Sequence, residues 1–123
     1  MKVREYVCEK IVEFKEEDIL YIIVNRMEGI THFKNGETKS ILMMREMFNL
    51  LARMTRVFNF DKYRAIYINV KEIESYKIDG IIVDIKFKNG DVLKGVSKNF
   101  LRCLPFQNLN KKEKFKNKFW QNK

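Results

Sequence analysis

The side chains best equipped for chemistry in this chain are cations. Arg64 lies in "FDKYRAIYIN" (60–69), where Ile66, Tyr67 and Ile68 read as a buried β-strand. A guanidinium at the mouth of such a strand is either a surface partner for Asp61 or a rigidly mounted fork of N–H donors able to grip an anion. Charge elsewhere is uneven. Residues 1–84 hold 14 Lys and Arg against 14 Asp and Glu, so the whole net charge of +9 falls in residues 85–123. Eleven cations there (Lys86, Lys88, Lys94, Lys98, Arg102, Lys111, Lys112, Lys114, Lys116, Lys118 and Lys123) face only Asp91 and Glu113. A one-sided field of this kind attracts polyanions, although the last stretch, "KKEKFKNKFWQNK", also reads as a solvated tail that aids solubility.

Residues for bond-making chemistry are sparse. Nucleophilic catalysis needs a Ser, Cys or Thr beside a base, and His32 in "ITHFKN" is the only imidazole. On a strand it would point opposite to Phe33, as a half-exposed sheet residue does. The acidic run "KEEDI" (15–19) reads as a charged strand entrance, and no Gly-rich phosphate loop or H-E-x-x-H is present. Cys8 and Cys103 stand 95 positions apart. Without a C-x-x-C they and His32 cannot complete a zinc site, so both are expected to be small buried apolar residues and no metal or cofactor is implied. Binding is the better class than catalysis.

The elements that must position these residues are short and mostly β. "EDILYIIVN" (17–25) is a strand candidate, and "ITHFKNGETKSIL" carries an Asn35-Gly36 pair, a strong hairpin signal. In "IIVDIKFKNGDVLKGVSKNF" the residues Ile81, Val83, Ile85 and Phe87 fall on one face before Asn89-Gly90 turns the chain, and Asp79-Gly80 marks another reversal. The sheet should be largely antiparallel. From Ser40 to Met54 the spacing of Met44, Met47, Phe48 and Leu51 predicts an amphipathic helix of three to four turns, N-capped by Ser40, with Asn49 and Arg53 on its wet face. The expectation is a mainly β, compact domain of short antiparallel sheets over residues 1–105, with one amphipathic helix and a basic, aromatic C-terminal tail over 106–123. A chain of 123 residues suits one core. No signal-type apolar run opens it and no 18-residue apolar span follows, which points to a cytoplasmic protein without membrane insertion.

The order of these segments resembles the LytTR DNA-binding domain, the output domain of bacterial response regulators of the LytR and AgrA type. The family phrase F-x-x-x-H-R-S-Y-I-V-N-x-x-x-I is approximated by Phe60, Arg64, Asn69 and Ile73, with departures at Tyr63, Ala65 and Ile66. A second phrase, an Asn-Gly turn leading to V-S-R-x-Y, is approximated by Asn89, Gly90, Val96, Ser97, Lys98, Asn99 and Phe100. The likeness covers residues 10–104.

The resemblance implies a transcription regulator whose loops, at one end of a β-fold, enter major grooves of double-stranded DNA at repeated promoter sites. By position it implies contacts from Asn25, Arg26 and Met27, from Arg64, and from Ser97, Lys98, Asn99 and Arg102. Arg64 then acquires a role, because a strand-mounted fork can pair with guanine O6 and N7. Lys98 in place of arginine offers a point charge, better suited to phosphate than to base discrimination. No receiver domain precedes the matched region, so control is expected from a partner protein unless the chain is a fragment, and a dimer on DNA is compatible with repeated sites. Two alternatives stand beside this reading. One is a small β-barrel binding single-stranded nucleic acid through Tyr63, Tyr67 and Phe87; the other is a protein-interaction module or anti-regulator.

Overall fold

The run "ILYIIVN" forms β3 (Ile19–Asn25), and its unbroken burial from Ile19 to Ile23 organises the molecule. A strand apolar on both faces must have a core on each side. Ile19 and Ile22 enter one apolar cluster while Leu20, Tyr21 and Ile23 enter a second, a division accompanied by a register irregularity between Ile19 and Tyr21. The computed structural model describes residues 1–103. Within them β1 (Lys2–Arg4) and β2 (Ile11–Glu13) pair as a small ribbon. A larger sheet is built from β3, β4 (Glu28–Phe33), β5 (Thr38–Leu42), β6 (Thr55–Asn59), β7 (Arg64–Ile68), β8 (Ile73–Asp79), β9 (Ile82–Phe87) and β10 (Val92–Ser97). Its order is β5-β4-β3-β7-β6-β10-β9-β8, every pairing antiparallel. The mainly β, antiparallel architecture expected above is the one observed.

Turn chemistry acts as the sequence predicts. At Asn35-Gly36 and Asn89-Gly90 the asparagine Oδ1 accepts the N–H of the residue two positions on, Glu37 at 2.9 Å and Asp91 at 3.0 Å. These side-chain bonds mimic a backbone turn. Gly36, Gly80 and Gly90 all take positive φ.

The helix differs from expectation. Residues Thr38–Leu42 continue the sheet as β5, with Ile41 opposite Gly29 and Ser40 opposite Ile30. Helix α1 spans only Arg45–Leu51, two turns. Ser40 is therefore not its N-cap; that position falls to Met44, which makes no side-chain cap bond, while the Ser40 hydroxyl donates to the Glu28 carboxylate. The face of α1 that packs inward is Met47, Leu50 and Leu51, and Met44 and Phe48 are exposed. Stretch 40–43 alternates half-buried and buried residues, so period two wins where it can pair with β4. Gly29 makes the fit close: a Cβ there would lie 2.7 Å from the Met43 sulfur.

Two smaller expectations also change. Ile81 sits exposed in the turn before β9, so only Val83, Ile85 and Phe87 share the buried face. Cys8 is an exposed free thiol rather than a buried one. The first cluster joins β1, β3, β5 and α1; the second joins β3 and β7 to β8, β9, β10 and Phe100. Full burial of side chains such as Phe87 and Phe100 contributes about 1.5–3 kcal/mol each. The stretch 106–123, with Phe115, Phe119 and Trp120, lies outside the described residues.

Candidate nucleic-acid interface

Arg64 is the first residue of β7 and shares the parity of Ile66 and Ile68, which are buried. By alternation it belongs to the core side, yet it is exposed because the second cluster ends before it. The register across the sheet locates its neighbours. Ile23 lies opposite Ile66 on antiparallel β7, so the Asn25 end of β3 and the Arg64 end of β7 lie toward the same end of the sheet. Arg64 in turn faces Asn59 on β6, and Asn59 faces Val96 on β10. Ends of three strands distant in sequence thus meet at one place.

The segment leading into Arg64 is fastened by specific bonds. Asn59, fully buried, donates from Nδ2 to the Lys94 carbonyl at 2.6 Å and accepts the Lys62 N–H on Oδ1 at 2.8 Å. The Phe60 N–H donates to the Gly95 carbonyl at 2.7 Å. Gly95 has φ +78°, and a Cβ there would stand 2.6 Å from the Asp61 carboxylate, so glycine is what lets that side chain lie against β10. Asp61 is consequently spent on packing against Gly95. Among the described residues Arg64 forms no ion pair, which removes the Asp61–Arg64 surface pair weighed from the sequence.

Beside Arg64 opens a concavity of about 360 Å³. Val57, Ala65 and Phe100 contribute its apolar lining, and Arg56, Phe58, Tyr63, Arg64, Ser97 and Asn99 contribute the rest. Three of the predicted residues, Arg64, Ser97 and Asn99, are therefore gathered in one groove. Lys98 is exposed between two groove-lining neighbours, its own N–H bonded to the Ile81 carbonyl at 2.9 Å. Ser97 also accepts the Asn99 N–H at 3.3 Å, opening the 3-10 segment Lys98–Cys103 that the buried Phe100 anchors. Asn25, Arg26 and Met27 form the β3–β4 turn at the same end of the sheet but do not line the groove, and Arg26 takes φ +58°. Arg102 is exposed on the 3-10 segment, also outside the groove lining.

Six groove residues lie outside the predicted contacts, and Arg56, Phe58 and Tyr63 are the exposed ones among them. Arg56 and Phe58 alternate with buried Val57 and Asn59 on β6, so a period-two reading of "TRVFN" exposes them. Arg26, Arg56, Lys62, Arg64 and Lys98 all lack an ion pair among the described residues, whereas Arg53, further down, is held by Glu16 at 2.7 Å. That pairing lowers the Glu16 carboxyl below its usual range, by the Arg53 hydrogen bond above all.

Other candidate chemistry is absorbed by the fold. His32 stacks on Tyr21 at 4.2 Å between ring centres, and burial, with a smaller effect of Lys62, pushes its pKa down against the opposing pull of Asp91. Its Nδ1 is 3.5 Å from the Thr38 hydroxyl. Among the described residues no three His, Cys, Asp or Glu are grouped to hold a metal, and no helix is long and apolar enough to cross a membrane.

The chain was compared with known proteins. No family model and no curated protein matches it. Its fold is similar to the solved LytTr DNA-binding domain of a protein described as a methyl-accepting/DNA response regulator from Bacillus cereus, with a TM-score of 0.56 and 10% identity over 84% of this chain and 90% of that one. The β-architecture is thus of LytTR type.

Proposed function

We propose that this chain is a transcription regulator that reads double-stranded DNA with the end of its sheet where β3 stops and β7 begins. One observation carries the reading: Arg64, Ser97 and Asn99, from separate parts of the sequence, line a single groove on a LytTR-type fold. Arg64 acts as the base-reading fork, since it is exposed, unpaired among the described residues and mounted on a buried strand. Lys98, Arg56 and Lys62 hold phosphates beside it, and the turn of Asn25, Arg26 and Met27 extends the contact along the duplex. Arg102, at the margin, takes part only electrostatically. Binding at repeated promoter sites, as a dimer and under the control of a partner protein in the cytoplasm, completes the proposal.

Burial argues against the single-strand alternative. Phe87 is fully buried and Tyr67 packs against the first cluster, so two of the three stacking platforms it requires are taken by the core. Competition between duplex and single-stranded DNA of the same sequence tests the choice. Duplex should win, and Arg64→Ala should weaken specific binding by about 1–3 kcal/mol. Preference for the single strand, or an unchanged affinity of the variant, would remove Arg64 from a duplex interface.

A further inference from the structure

The groove beside Arg64 holds two exposed aromatic rings that phosphate contact does not explain. Tyr63 is 80% exposed and Phe58 41% exposed. Large apolar surface left in water at the mouth of a cationic groove marks a contact site. Their placement is built. Phe58 stands edge-on to Phe60 at 5.1 Å and to Tyr63 at 6.5 Å. Tyr63 has φ +52°, an unfavourable backbone for a bulky residue, and the Asn59 bonds to Lys94 and Lys62 fix the segment that carries it. Arg56 and Arg64 line the same concavity, so an anionic, groove-shaped occupant with apolar points is the complementary partner.

We propose that Phe58 and Tyr63 form an apolar subsite for thymine C5-methyl groups, next to the base edge that Arg64 contacts. Resting on the duplex-DNA reading above, the inference adds a second determinant of sequence to it. In the major groove thymine presents the one methyl among the four bases, and aromatic carbon is a suitable surface for it. A guanidinium and an aromatic pair together would favour a guanine step adjoining a thymine step. This specificity arises from Phe58 and Tyr63 themselves and does not require a hydrogen bond from the Tyr63 hydroxyl.

The test uses the full chain and a duplex enriched by it from a random pool. Each thymine is replaced in turn by deoxyuridine, which deletes only the methyl. At one or two positions affinity should fall by about fourfold, the effect of one buried methyl. Phe58→Ala and Tyr63→Gly should each bind the unmodified duplex about fourfold more weakly and lose that sensitivity. Glycine suits the φ of residue 63, so the second variant keeps its fold. Indifference of the unaltered protein to uracil at every position, or full sensitivity in both variants, overturns this inference and leaves the duplex reading intact. Enrichment of no duplex overturns both.

Discussion

Gly95 decides how close the segment 59–63 comes to β10. Its positive φ disfavours any side chain, and a methyl there would collide with the Asp61 carboxylate at 2.6 Å. Gly95→Ala should therefore destabilise the fold by about 1–3 kcal/mol, read as a lower urea midpoint. Adding Asp61→Gly should restore part of the loss by clearing the contact, leaving only the backbone strain. Equal stabilities for the single and double variants would show that Asp61 does not press on residue 95. Asn59 and Gly95 also fasten the segment that leads into Arg64, so in the proposed interface they set where its guanidinium stands.

At the scale of elements, β3 is the strand on which both cores rest, and Tyr21 shows how dry one of them is. Burial, then the nearby charge of Asp91, pushes its phenol up to about 12; burial does the same for Tyr76, also to about 12. A pKa raised in the folded state means stability that is complete below the unfolded value of about 10 and is lost as pH rises through about 12. For Tyr21 the loss is on the order of 2 kcal/mol. Alkaline titration should show late phenolate absorbance, equivalent to two of the five tyrosines, appearing together with collapse of near-UV circular dichroism. Ionisation of all five tyrosines by pH 10 in an otherwise native protein would contradict this.

Elements also show what was legible in the sequence. The Asn-Gly turns could be read because their hydrogen bonds are local, made within three residues. Segment 40–54 could not, since "SILMM" satisfies both periods and only pairing of Ile41 with Gly29 settles it as strand. Arg64 was visible as a cation misplaced on an apolar strand. Arg56 and Phe58 were open to a period-two reading of "TRVFN" with Val57 as its core residue, while the full burial of the polar Asn59 is a tertiary fact that the pattern does not give. The exposure of Cys8 was likewise undetermined by its residue type.

Across the whole molecule, the proposed interface takes the cations around the β3 and β7 ends as its electrostatic footprint. If Lys98 and its neighbours hold phosphates, the logarithm of affinity should fall linearly with the logarithm of salt, at about −0.9 per phosphate neutralised. Lys98→Ala should make that slope shallower by about 1 while leaving sequence preference in place. An unaltered slope would place Lys98 outside the interface. Positioning, in this account, comes from the distributed cations and reading comes from the groove at Arg64.

The most direct test of that account is selection of bound fragments from a random duplex pool by the intact protein and by Arg64→Lys in parallel. One enriched motif containing a guanine is expected for the intact chain, with loss of preference at that guanine for the variant, which keeps the charge but not the fork. Recovery of fragments no different from bulk DNA, or of the same motif by both proteins, would contradict it.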